Sequence, residues 1–354
     1  MCSEEGGGRQ AKKRRGEARM GAEPLLPKNT HTHTHTHTQP NSPLILGLQP
    51  SALIDHVAKI DSSLLAQIPG ERGGSIPVAI EELEHILNEV KTHILSSPPD
   101  PSPMRTMAGG SVANTIRGLS AGFGVNCGIL GACGDDEQGG LFVSNMGSSG
   151  VNLSTLRTKK GPTAQCVCLV DALGNRTMRP CLSSAVKIQA EELTKEDFKG
   201  VKMVRDFRVP LLKLLQSGDI DLCFANEDEA RELLRDDENT SPEAALEFLA
   251  KHCQWAVVTL GSNGCLAKCG REMVRVPAIG EAKATDATGA GDLFAGGFLY
   301  GLVKGLSLEE CCRVGTCSGG SVIRSLGGEV TPENWQWMYK QMQIKGLPVP
   351  GLRQ

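Results

Sequence analysis

No stretch of this chain stays apolar for the roughly 20 residues that a bilayer-spanning helix requires, so a helical membrane protein is not expected. The opening residues lack the apolar core of a secretory signal. Charge of one sign is not in excess either: 37 Lys and Arg stand against 40 Asp and Glu, a formal net charge of −3. Binding nucleic acid by counterion release needs a basic face that such a balance does not supply. The 13 cysteines are odd in number and irregularly spaced, which argues against a secreted disulfide framework, and paired CxxC units of a structural zinc site are missing. The thiols therefore read as reduced. Cys166 and Cys168 alternate along an apparent strand, and Cys311 and Cys312 are adjacent. No GxGxxG opens an early strand-to-helix unit with an acid about 20 residues on, which disfavours a dinucleotide-dependent oxidoreductase. What remains is a soluble, cytoplasmic protein with a small partner, no membrane and no nucleic acid; nucleus and plastid stay open as locations.

What is present suits a folded core. A chain of 354 residues, 40% hydrophobic, can bury one large α/β domain or two modest ones. Residues 1–43 read as a low-complexity tail: Gly-rich, then the basic run Lys12-Lys13-Arg14-Arg15, then alternating His and Thr from His31 to Thr38. Met20 is an alternative start. Residues 44–340 read as the domain and 341–354 as a C-terminal tail.

Order begins at Leu44-Ile45-Leu46-Gly47, an apolar run expected to be a buried strand. Ile80, Leu83, Ile86, Leu87, Val90 and Ile94 repeat at spacings of three and four, predicting a helix with a Glu-rich wet face, ended by the Pro-rich stretch Ser97–Pro103. A helix is expected near Ala113–Gly122 and a strand near Val125–Leu130. Thr163–Val170 and Arg176–Pro180 flank Ala172-Leu173-Gly174-Asn175, which predicts a β-hairpin. Further on come a strand at Asp221–Ala225, a helix at Glu227–Leu234, a helix opened by Ser241-Pro242 and a strand at Trp255–Leu260. Strands alternating with helices after residue 200 predict a parallel sheet covered on both faces.

The sharpest chemical signal is Asp286-Ala287-Thr288-Gly289-Ala290-Gly291-Asp292, followed by Leu293, Phe294, Phe298 and Leu302 at helical spacing. A glycine turn opening a helix leaves backbone N–H groups aligned with the helix dipole, a cradle for phosphate oxygens. A carboxylate in that first turn can take the proton of an attacking hydroxyl, although Asp also stabilises a first turn without any chemistry. Three further segments accompany it: Asn226-Glu227-Asp228-Glu229 and Thr259-Leu260-Gly261-Ser262-Asn263-Gly264, each directly after a strand, and Ala108-Gly109-Gly110-Ser111 with Asn114. Asn226 and Glu229 also have the spacing of a helix cap, and the glycine-rich segment at 259–264 also fits a strand-to-strand turn.

This order of motifs resembles the PfkB family of carbohydrate and nucleoside kinases over roughly residues 44–335. The resemblance implies an α/β, ribokinase-like fold: a mostly parallel central sheet with helices on both faces and a small β lid, near 55–75 and 163–180. It implies ATP-dependent phosphoryl transfer to a hydroxyl of a small sugar, polyol or nucleoside. Asp292 becomes the catalytic base, and the amides of Gly289, Ala290 and Gly291 an anion hole, equipment suited to phosphoryl transfer. Asn226, Glu229, Thr259, Gly261, Gly264, Asp286 and Thr288 fall on the nucleotide side, with Glu229 organising Mg2+ through water. Asp55, Gly109, Gly110 and Asn114 fall on the acceptor side, with Asp61 as the alternative to Asp55. A later helix from a Ser307/Glu310 capping box through Ile323 carries Gly315, Ser318 and Gly319, where the family admits a monovalent cation such as K+ and where close helix packing is the simpler reading. A homodimer is compatible with the resemblance.

Two departures stand out. Ala287 occupies a position where the family usually has a hydroxyl residue. Near Val204 one strand-helix-strand unit, on the order of 30 residues, is missing, since Phe198–Val204 runs straight into Arg205-Asp206-Phe207-Arg208. Loss of an interior strand would leave its neighbours unpaired, so an impaired splice variant or a regulatory binding protein of the same fold is the alternative expectation.

Overall fold

The computed structural model describes residues 43–351, apart from 71, 97–103, 183, 199–202, 206–214, 216, 235–239 and 280–283. The expected N-terminal tail, the Pro-rich stretch and most of the junction around Val204 lie outside the described residues. In chain order the strands are β1 Ile45–Ser51, β2 Leu53–Lys59, β3 Met104–Gly109, β4 Cys127–Gly134, β5 Leu156–Lys159, β6 Ala164–Val170, β7 Arg176–Cys181, β8 Met203–Arg205, β9 Leu222–Asn226, β10 Trp255–Thr259, β11 Cys265–Cys269 and β12 Glu272–Val276. The helices are α1 Ser62–Leu65, α2 Ile80–Ser96, α3 Ser111–Phe123, α4 Glu137–Ser148, α5 Glu227–Leu233, α6 Pro242–Leu249, α7 Ala290–Val303, α8 Leu308–Val322 and α9 Pro332–Ile344. Among the described residues no helix is long and apolar enough to cross a membrane.

Three four-stranded sheets result, ordered β5-β4-β1-β8, β12-β11-β10-β9 and β3-β2-β6-β7. The first is parallel throughout, with Ile45 opposite both Cys127 and Met203. The second is parallel only between β9 and β10, where Thr259 lies opposite Asn226; β10, β11 and β12 then form an antiparallel meander. Parallel pairing after residue 200 is thus confined to β9 and β10; the strand-to-strand turn that the segment at 259–264 also allowed sends β11 straight back along β10, because no helix-length connection separates them.

The third sheet is the lid. In it β6 and β7 form the expected hairpin, and β2 bridges β3 and β6. Period-two alternation gives the lid two different faces. Ala58, Val167 and Leu169 point to the outer face, where they pack with Leu83, Ile86 and Val90 of α2. Val57, Cys166, Cys168 and Val170 line the inner face with Met107 and Leu326.

Local chemistry explains most helix ends. Ser241 caps α6 ahead of Pro242, Ser307 and Glu310 form the capping box of α8, and α3 stops at Gly124 in the left-handed region. Helices α7 and α8 cross closely. A Cβ on Gly297 would sit 2.8 Å from the Val314 carbonyl and 2.9 Å from Ser318 Cβ, and Gly315 would meet the Phe294 ring in the same way. Close packing therefore accounts for the small residues of α8. The stretch expected to be a C-terminal tail starts inside α9, and Met342 and Leu347 are buried in the main core. The ordered domain therefore extends past residue 340.

Candidate active site

Helix α7 sits against the second sheet in a defined direction. Phe294, in its first turns, meets the ring of Phe224 on β9, and Phe298, one turn later, meets Trp255 at the start of β10. The helix therefore runs against the strands, and its N-terminus lies at the C-terminal ends of β9 and β10, where ligand sites form in open α/β sheets. Asn226 and Thr259, side by side in register, end those strands.

The turn before α7 is built by Asp286. Fully buried, its carboxylate accepts hydrogen bonds from the Thr288 amide (2.8 Å), the Thr288 hydroxyl (2.7 Å) and the Gly327 amide (2.7 Å). The Asp286 carboxylate and the Thr288 hydroxyl, expected on the nucleotide side, bond within the protein and shape this loop. Gly289 caps α7 at a φ of 78°, a backbone state that glycine adopts without strain. The three expected anion-hole amides divide. Ala290 N–H bonds the Ala287 carbonyl at 3.2 Å, while those of Gly289 and Gly291 have no protein acceptor among the described residues. Gly291 faces open space, with nothing within 4 Å of a built Cβ.

Asp292 follows in the first turn, half-buried, and accepts a hydrogen bond from Asn114 Nδ2 at 3.0 Å. The Thr115 hydroxyl bonds its main-chain carbonyl at 3.0 Å. Asn114 is oriented in turn by Arg117 one helical turn on, whose Nη2 donates to Asn114 Oδ1 at 2.9 Å and to the Gly328 carbonyl at 3.1 Å. The other arm, Nη1, donates to the Ala108 carbonyl and to Asn145 Oδ1, both at 2.7 Å. Burial pulls this guanidinium down from its ordinary value, and Glu329 and Asp55 hold it up. Arg117 was not foreseen; an arginine three residues after Asn114, on a helix buried along most of its length, was the available signal.

Asp55 is buried on the inner face of the lid sheet, directly against Gly109, where a Cβ would fall 2.2 Å from its carboxylate. Only glycine admits that approach. Its Oδ1 has no hydrogen-bond partner. Burial pushes the Asp55 carboxyl up to about 7, opposed by Arg117 and reinforced by Asp292. Gly110 opens α3 at a φ of 90°, fixed beside the Gln49 amide, which also accepts from the Ala113 N–H at 2.9 Å. Asp61, the alternative acceptor acid, caps the short α1 and pairs with His93 at 3.2 Å with an exposed side chain. Asp55, Gly109, Gly110, Asn114 and Asp292 are thus brought together.

On the other side of α7, Asn226 and Glu229 are exposed and bond each other reciprocally: Glu229 N–H to Asn226 Oδ1 and Asn226 N–H to Glu229 Oε2, both at 2.8 Å. They form the capping box of α5. Thr259 ends β10. Gly261 (φ 55°) and Gly264 (φ 88°) make the turn into β11, with Gly264 packed so tightly that a Cβ would collide with the Val276 carbonyl. These residues border the same strand ends but are held by one another. The lid hairpin reaches the signature loop as well: Arg176 Nη1 donates to the Ala287 carbonyl at 2.8 Å.

A helix N-terminus with unpaired amides, an acid in its first turn and a second, buried acid on the neighbouring sheet thus lie together. The pfkB family carbohydrate kinase model matches residues 83–205 and 199–334, and the chain belongs to that family. Among its relatives, an uncharacterized sugar kinase from Archaeoglobus fulgidus is 27% identical over 248 residues, 59% of this chain and 96% of that protein. A ribokinase from Lactococcus lactis is 36% identical over 111 residues, 31% of this chain and 34% of that protein. Among solved structures, a probable sugar kinase from Rhizobium etli superposes with a TM-score of 0.72 at 25% identity, covering 86% of this chain and 99% of that one. Adenosine kinase from Sinorhizobium meliloti gives a TM-score of 0.71 at 27% identity, covering 83% and 98%.

Proposed function

We propose that this sugar or nucleoside kinase transfers the γ-phosphoryl group of ATP to a hydroxyl of a small sugar, polyol or nucleoside. The observation that carries the reading is the convergence of Asp292 and Asn114 at the unpaired amides of Gly289 and Gly291. Asp292 takes the proton from the acceptor hydroxyl as that oxygen attacks phosphorus, and the free amides stabilise charge on the migrating phosphoryl group. Asn114 aims the acid, and Asp55 accepts hydrogen bonds from acceptor hydroxyls. Magnesium supplies charge neutralisation on the phosphates; Glu229 fits a role through water, since its exposed carboxylate keeps one oxygen uncommitted beyond the cap. For a monovalent cation the support is weaker, because the small residues of α8 are explained by contact with α7.

The test is a phosphoryl-transfer screen across sugars and nucleosides with Asp292→Asn alongside. Turnover should fall by at least about a hundredfold, the range for losing a general base; undiminished turnover would remove Asp292 from the chemistry.

A second reading has its own observation. The family match comes in two pieces that meet at 199–205, and the 248 aligned positions of the archaeal relative exceed the roughly 209 residues that 59% of this 354-residue chain amounts to. The two-piece match supports an internal gap near 199–205, where the sequence loses a strand-helix-strand unit, and the alignment length agrees with positions of the relative that have no counterpart in this chain. On this reading the chain binds nucleotide or sugar with impaired turnover, and a screen that finds ligand binding without product formation favours it.

A further inference from the structure

The inner face of the lid sheet holds a side-chain cluster, Asp55 with Cys166 and Cys168, whose two thiols phosphoryl transfer does not use. Asp55 on β2 lies directly opposite Cys166 on the parallel strand β6, and Cys168, two residues on, shares its face. The two sulfurs stand 3.7 Å apart, and one oxygen of Asp55 and both sulfurs all lie within 4.8 Å of one another. Tetrahedral zinc with Zn–S bonds of about 2.3 Å places two thiolate sulfurs about 3.8 Å apart. The thiol pair thus already stands at the spacing such a centre requires. Asp55 offers the third donor: it is buried, and its Oδ1 is unpartnered.

We infer that Asp55, Cys166 and Cys168 form a three-ligand site for a borderline-soft divalent cation, with Zn2+ as the natural occupant and an open fourth position, and that its occupation blocks the acceptor end. Two thiols and a carboxylate select such a metal over Mg2+, which prefers oxygen donors throughout. Binding releases the two thiol protons as the sulfur–metal bonds form. The cation neutralises a carboxylate otherwise buried without a hydrogen-bonded cationic partner, while taking from an incoming sugar the oxygen it would bind. That blockade rests on Asp55 serving the acceptor, as proposed above; the metal site itself does not. The paired CxxC pattern of common zinc sites is absent because here two ligands are neighbours on one face of a strand and the third comes from the strand beside it.

The test uses the full chain, stripped with a chelator and titrated with Cd2+ while thiolate-to-cadmium charge-transfer absorption is followed. One equivalent per chain is expected to bind with that signature in the wild type and in Cys253→Ala, a buried-cysteine control in a different cluster. Cys166→Ala and Cys168→Ala should each lose that equivalent. Should either variant fail to fold, cadmium NMR of the wild-type protein decides, since a resonance typical of two sulfur ligands with oxygen is expected. Wild-type protein lacking the charge-transfer band, variants that keep it, or a resonance without sulfur ligation would overturn the site. With an acceptor from the screen, one equivalent of Zn2+ should raise its KM severalfold. Metal binding with an unchanged KM overturns the blockade alone. A screen that finds no acceptor, beside intact cadmium binding, marks failure of the kinase reading and leaves the metal site standing.

Discussion

At the scale of single residues, burial of charge governs Asp55, the acid proposed for the acceptor. Asp55 titrates near 7 because water is excluded from it, whereas an unfolded chain holds an aspartate near 3.8. The folded state therefore binds more protons between those values, and the contribution of Asp55 to stability falls as pH rises from about 4 through 7. In chelator-treated protein, Asp55→Asn should gain stability relative to wild type at pH 8 over pH 5, measured by denaturant melts at both. The same ionisation governs acceptor binding: wild-type KM for the acceptor should rise as pH drops below about 7, and Asp55→Asn should have a high KM independent of pH. Arg117 acts one step removed. Arg117→Met would remove the guanidinium donor from the carbonyl oxygens of Ala108 and Gly328 and from Asn114 Oδ1, while Asn145 Oδ1 keeps the Ala108 N–H, at about 1–3 kcal/mol. With Asn114 no longer aimed, kcat should fall about 10- to 100-fold with KM for ATP nearly unchanged. Loss of both parameters together would assign Arg117 a purely structural role.

At the scale of elements, the Asn226–Glu229 pair offers a clean separation of two roles. Asn226→Ala removes the cap of α5 and should cost about 1 kcal/mol, whereas Asn226→Ser keeps the cap. If the pair also organises nucleotide phosphates, both variants should raise the KM for ATP; if only Ala does so, capping is the whole contribution. Thermal melts and ATP titrations of the two variants supply the comparison. The capping boxes of α5 and α8, the hairpin of β6 and β7 and the glycine turn before α7 were all legible in the sequence, because each is fixed by residues within a few positions of one another. The acceptor residues could be named only through the family resemblance. The network behind them was not legible: Arg117 reaches Gly328, and Asp286 reaches the Gly327 amide, across separations that local pattern cannot register. The reach of Asp286 was hidden in the same way, since nothing local says that a buried carboxylate will face a distant loop. The turn from β10 to β11 was legible as the strand-to-strand alternative at 259–264, but the return of β12 along β11 was not, because an apolar run does not state the direction of its partner.

At the scale of the whole molecule, β8 and β9 each end a four-stranded sheet, with no ladder joining them among the described residues. A unit missing between them would leave these two sheet edges without the strand that joins them. If the fold nonetheless closes into a ligand-competent domain, a purified sample should melt in one cooperative step, and saturation with ATP and Mg2+ at a hundred times Kd should add about 2.7 kcal/mol. A broad melt insensitive to ATP would point instead to the impaired product. Finally, the bond from Arg176 to the Ala287 carbonyl ties the hairpin to the turn before α7. Two segments more than a hundred residues apart in the chain thus share one fastening, and Arg176→Ala would undo it without touching either backbone.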